Sequence, residues 1–212
     1  MLTPDKILDA ALELVDATGP DGLTMRRLAD RLGVTATAIY HYFDGREAIL
    51  EALLDRVCGI IVGDAPHDGP WDVRLKGLLT TMVDRAIAHP TASAWAITAY
   101  ARRPPMLRLH EAILVILDDA GFTPEAAVHV KGAALRFCIG HLALQEAAPG
   151  HQWRRLPKNA FPKYRAAGPA LDAFDPAEHF RLGLDALLVG LTSGPLAPRK
   201  VRRRAPALTP SI

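Results

Sequence analysis

The stretch that most constrains this chain is residues 24–46, TMRRLADRLGVTATAIYHYFDGR. It reads as two short helices broken at Gly33. Thr24 and Thr35 each stand ahead of a helical run, where a side-chain oxygen can accept from the open amides of the first turn. Leu28 and Leu32 make one apolar stripe, and Val34, Ile39 and Phe43 make another. Gly33 lies between them, where the first helix must stop and the chain must reverse. Two short helices about a glycine turn form the helix-turn-helix pattern, whose second helix enters the DNA major groove. The outward positions of that helix are Thr35, Ala36, Thr37, Tyr40 and His41. They are small, hydroxylated or aromatic, and none is acidic, as a face laid against phosphates requires.

The remainder continues as helices. Ala and Leu are abundant, β-branched clusters are scarce, and apolar residues recur about every 3.6 residues along most of the chain. This pattern predicts an all-α protein. A helix-turn-helix DNA-binding domain is expected over 1–47, a larger helical ligand-binding and dimerisation domain over 48–194, and a basic, disordered tail over 195–212. Thr3-Pro4-Asp5 starts the first helix, with a capping hydroxyl and proline at the first helical position. Ile7, Leu8, Ala11, Leu12 and Val15 form its apolar stripe, and Gly19-Pro20-Asp21-Gly22 ends it. From Arg46 a helix runs to about Val62, long enough to join the motif mechanically to the larger domain. Further helices are expected around Leu75–Ile87 and over 91–101, 106–120, 124–147 and 176–193. Residues 148–175 are rich in Pro, Gly and basic groups and read as a long, partly helical loop.

Charge adds less than the net +2 suggests. Residues 1–48 carry five basic groups against eight acidic ones, and the tail alone carries Arg199, Lys200, Arg202, Arg203 and Arg204. Any attraction for phosphate must therefore come from placement, with Arg26, Arg27 and Arg46 flanking the second helix. Half of the residues are hydrophobic, enough for a substantial core. No apolar run approaches the ~18 residues of a membrane span, so no membrane partner is expected. Met1 leads directly into a helix start, so no leader is read. Cys58 and Cys138 are far apart and read as buried thiols in a reducing, cytoplasmic compartment.

The N-terminal blocks resemble those of the TetR family of bacterial transcriptional repressors. They are I-L-D-A-A-L-E-L-V at 7–15, G-x-x-x-x-T-M-R-R-L-A at 19–29, L-G-V-T at 32–35, A-I-Y-H-Y-F at 38–43 and R-E-A-I-L at 46–50. Arg46 stands where the family usually has Lys, and Asp44-Gly45 replace basic or small polar residues. The resemblance implies that Arg26 reaches a base edge, since Arg suits guanine bidentately. Ala36 and Thr37 fall where base or thymine-methyl contacts occur. Thr24, Thr35, Tyr40, Tyr42 and Arg46 fall where phosphate contacts occur. On simpler readings Thr24 and Thr35 are only caps, Tyr40 is packing, and Arg27 and Arg31 are solvated surface. Ala36 has no hydrogen-bonding side chain, which gives DNA shape a larger part in recognition.

The family also implies a homodimer through a four-helix bundle of helices 124–147 and 176–193 from each protomer, matching a two-fold operator. Gly183 and Gly190 are seven apart, on one side of the last helix, where backbones could approach; they could equally serve an internal crossing. Candidate lining for a small-molecule effector is Met82, Trp95, Tyr100, Met106, His110, Phe137, His141 and Gln145. Phe137, His141 and Gln145 step by four along one helix. Aromatics with a few polar groups suit a hydrophobic or aromatic effector. Cys138-x-x-His141 has helical metal-ligand spacing, with His110 or His129 to complete a set, but two such residues on one helix commonly coincide by chance. No metal, cofactor or enzymatic activity is expected: no Gly-rich phosphate loop, nucleophile elbow or paired-carboxylate motif is present. The competing reading is a helical small-molecule or metal-binding protein with a vestigial helix-turn-helix.

Overall fold

A computed structural model describes residues 1–99, 104–144, 151–157, 161–193 and 196–198. Tyr100, Gln145 and the basic residues of the tail lie outside the described residues. Those described form helices and turns, with no strand among them.

Helix α1 spans Pro4–Thr18. The Thr3 hydroxyl accepts from the Lys6 amide, and the helix ends at Gly19, whose φ of 73° suits a residue without a Cβ. A single 3-10 turn, Pro20–Gly22, leads to α2, Met25–Leu32. Gly33 then turns left-handed at φ 66° and returns its amide to Ala29 and Asp30 carbonyls, the glycine stop expected there. Helix α3 is short, Ala36–Tyr40. Ile7, Leu28, Ile39, Ile49 and Leu50 are at most 1% exposed and form the centre of the N-terminal core.

Helix α4, Arg46–Asp64, belongs to two cores. Its first half (Ile49, Leu50, Leu53, Leu54) packs into the N-terminal cluster, and Ile61 packs into the second. The expected division after residue 47 thus falls at the start of a continuous helix. Helices α5, Trp71–Ala88, and α6, Pro90–Ala99, meet at His89. Helix α7 covers Pro104–Asp119, and α8 covers Pro124–Ala143, capped by the Thr123 hydroxyl on the Ala126 amide. The expected end of α8 near 147 lies outside the described residues, and Leu144 already leaves the helix.

The described residues of 148–175 include short helical pieces, in keeping with the partly helical loop expected there. A 3-10 turn at His151–Arg155 is followed by α9, Pro162–Ala166, and α10, Gly168–Asp172. The Trp153 indole lies against Gly168 and donates to Asp172 at 3.0 Å, and Arg154 pairs with the same carboxylate. Five-residue helices are too short to show an apolar period, so the sequence does not give their bounds. Helix α11, Pro176–Thr192, starts at the Asp175 cap and packs on α8. Gly183 serves an internal crossing: a Cβ there would come within 2.6 Å of the Phe137 ring. Gly190 faces open space.

Candidate nucleic-acid interface and ligand cavity

The two threonines are caps in the literal sense. Thr24 Oγ1 accepts from the Arg27 amide at 3.2 Å, and Thr35 Oγ1 accepts from the Ala38 amide at 3.3 Å. Both residues remain exposed, as do Arg26, Thr37, Tyr40, His41 and Tyr42. Ile39 faces inward and is fully buried, so Tyr40 and His41 are turned outward and Tyr40 is 52% exposed. Ala36 is half-buried against the N-terminal core.

The arginines divide by what they hold. Arg27 donates to the Gly22 carbonyl at 2.8 Å, and Arg31 pairs with Glu13 across to α1. Arg46 is drawn inward. Its Nε donates to the Leu23 carbonyl at 3.0 Å and Nη2 to the Pro20 carbonyl at 2.9 Å, while Nη1 pairs with Glu47. This clasp closes the turn between α1 and α2. Arg26 has no such partner among the described residues and is left exposed beside α3. Tyr42 also has an internal task, donating its hydroxyl to the Leu2 carbonyl at 3.0 Å and so fixing the chain start against the motif. The family resemblance implies phosphate contacts for Arg46 and Tyr42 but cannot show these carbonyl partners, which come from 23 and 40 residues earlier in the chain.

The second feature is a partly open cavity of about 140 Å³ lined by residues of α1, α4, α5, α6, α7 and α8. Four expected residues line it: Met82, Trp95, Met106 and His110. Phe137 and His141 do not. They turn to the opposite side of α8, where the rings of Phe137 and His141 lie 5.7 Å and 4.7 Å from Phe180 of α11. The cavity side of α8 is instead Leu135, Ile139 and Leu142. Both sides of α8 are apolar, so its periodicity does not say which one faces which neighbour. Cys58 and His89 also line the cavity, and no sequence signal marks either for that place. The Cys58 thiol meets the Met106 sulfur at 3.7 Å, and burial pushes its pKa up to about 11, so it is a neutral thiol. Cys138 is fully buried and pushed up to about 12 by the same cause. Among the described residues no three His, Cys, Asp or Glu side chains are grouped to hold a metal ion.

The cavity wall and the N-terminal core share parts. Leu12 of α1 and Leu53 and Leu54 of α4 line the cavity. Ala92 of α6 is buried in the N-terminal core, and Trp95 packs against it. Asp16, near the end of α1, accepts from the Ala92 amide at 3.3 Å and meets His89 Nδ1 at 2.6 Å. A carboxylate of the first domain thus caps the first turn of a cavity helix.

This architecture has known counterparts. The model for bacterial regulatory proteins of the tetR family matches residues 7–53, and that for the tetracyclin repressor-like C-terminal domain matches residues 64–194. The chain belongs to the TetR family. It is 30% identical over 213 residues to a class A tetracycline repressor of Escherichia coli, covering 94% of this chain and 95% of that protein. A TetR transcriptional regulator of Streptomyces coelicolor superposes with a TM-score of 0.76 at 26% identity, over 91% of this chain and 99% of the other. The Streptomyces coelicolor TetR-family protein ActR, solved in complex with (S)-DNPA, superposes with a TM-score of 0.64 at 25% identity, over 91% and 98% of the two chains. This TetR-family chain is therefore a helix-turn-helix transcriptional regulator, and its family is one of regulators rather than enzymes. The reading as a binding protein with a vestigial motif is not favoured. Among the described residues no helix is long and apolar enough to cross a membrane.

Proposed function

We propose that the chain is a cytoplasmic repressor that binds a two-fold operator as a homodimer and is released by a small apolar effector. The observation that carries this reading is the sharing of α4 and α6 between the core behind the recognition helix and the walls of the cavity. A molecule that fits one arrangement of those helices better than another shifts the balance between them by that difference in affinity. A relative named as a tetracycline repressor supports repression as the activity on which an effector acts.

On the DNA side, Arg26 reads a base edge and Thr37 and Ala36 meet bases. The exposed Thr24, Thr35, Tyr40, His41 and Tyr42 lie along the backbone. Arg46 supports them from behind through its clasp on the 20–23 turn. Residues 1–47 form the reading unit and 48–194 the effector and dimer domain, against whose core Leu196 also packs. The exposed Val128, Leu182 and Val189 of α8 and α11, each more than half accessible, fit a second copy of the same surface.

The test is a fluorescence-anisotropy titration of purified protein against duplexes tiled through its own upstream DNA, with sedimentation to count protomers. One duplex should bind tightly as a dimer with a steep fall in affinity as salt rises. Equal binding to all duplexes, or a bound monomer, would overturn the reading.

A further inference from the structure

The cavity is almost wholly apolar, and besides the Trp95 indole and the Cys58 thiol four of its lining residues can carry a polar contact: Arg85, His89, Ser93 and His110. Two of them are already provided for. Arg85 pairs with Asp64 at 2.7 Å, and His89 meets Asp16 at 2.6 Å. The Ser93 hydroxyl makes no side-chain hydrogen bond among the described residues, though a helical serine can turn its hydroxyl back to a carbonyl of the preceding turn. His110 has no hydrogen-bond partner among the described residues. It stands on α7 one turn beyond Met106, so the two share a side of the helix. Burial, helped by the nearby Lys131 charge, lowers its pKa, which leaves a neutral imidazole with one donor and one acceptor. The Cys58 thiol is neutral as well.

A charged ligand would lose its water here without gaining an unpaired opposite charge on the lining. A purely apolar one would leave the imidazole without a partner. The volume of about 140 Å³ is close to that of an engineered ~150 Å³ apolar cavity that takes one benzene ring. Resting on the reading of the cavity as the effector site, we propose that its ligand is an uncharged, mostly apolar molecule of about one ring. His110 selects it through a single hydrogen bond to a hydroxyl or carbonyl group.

Four probes of one shape test this: ethylbenzene, 4-ethylphenol, 4-ethylbenzoate and 4-ethylbenzylammonium, titrated at pH 7.5 into the full chain by calorimetry and ligand-observed NMR. The phenol should bind about three- to tenfold more tightly than ethylbenzene, the range expected of one hydrogen bond. Both ions should bind at least about tenfold more weakly than the phenol. His110→Phe should remove the phenol's preference over ethylbenzene, and His110→Gln should keep part of it. Tighter binding of either ion, or an unchanged phenol preference in His110→Phe, would overturn the assignment while leaving an effector cavity in place. Failure of all four probes to bind would overturn the one-ring assignment but not the cavity's role as an effector site.

Discussion

Arg26 and Arg46 show how side chains of one type, twenty positions apart, are placed differently, one exposed and one drawn into internal contacts. Arg46 gives its donors to the Pro20 and Leu23 carbonyls and to Glu47. Arg46→Ala should lower stability by about 1–2 kcal/mol, the scale of charge-assisted bonds at a partly exposed site, read as a lower thermal midpoint. Operator affinity should fall with it, and Arg46→Lys should not restore the fork of two carbonyl contacts. Tyr40→Phe is the contrasting variant. Its hydroxyl is exposed, so the midpoint should stay put while operator affinity drops several-fold. Arg26→Ala should instead narrow the gap between operator and unrelated DNA, since a bidentate base contact supplies about 1–3 kcal/mol of discrimination.

Among the elements, α6 is the one whose allegiance is unexpected. It comes after α5 in the larger domain, yet Ala92 is buried in the N-terminal core and Asp16 of α1 caps it. Asp16→Asn keeps the shape but weakens the acceptor facing the Ala92 amide and His89. A loss of about 1 kcal/mol is expected, as for other helix caps, with faster amide exchange across the first turn of α6 as the measurement. The crossing of α8 and α11 depends on Gly183, whose missing side chain leaves room for Phe137 against Phe180. Gly183→Val should cost about 1–3 kcal/mol through overpacking. Phe137→Leu should recover part of that loss in a double-mutant cycle.

For the whole molecule, acid should loosen the larger domain. Burial lowers the pKa of His110, and burial with the neighbouring His179 lowers that of His141, both below their ordinary 6.5. As pH falls below about 6.5 the unfolded chain takes up these protons before the folded one does, so stability declines there and is flat above it. Thermal midpoints measured from pH 7.5 to 5 should fall, and the double variant His110→Gln, His141→Gln should show a shallower slope. The formal −3 charge of residues 1–48 also means that operator binding rests on a few placed cations and capped amides rather than on a general basic field.

Local chemistry was legible from the sequence alone. Thr3, Thr24 and Thr35 cap the helices they precede, because a cap is settled within three residues of itself. The block spacing from Ile7 to Leu50 likewise carried the family, and the apolar recurrence about every 3.6 residues carried the all-α class. Tertiary structure decided what spacing cannot: that Arg46 and Tyr42 reach back to carbonyls of distant residues, and that α8 turns Phe137 and His141 to α11 and Leu135, Ile139 and Leu142 to the cavity. It also decided that α1 and α6 share a wall. An amphipathic period says that a side is buried but not against which neighbour, and a long side chain's partner is chosen only when the chain closes on itself.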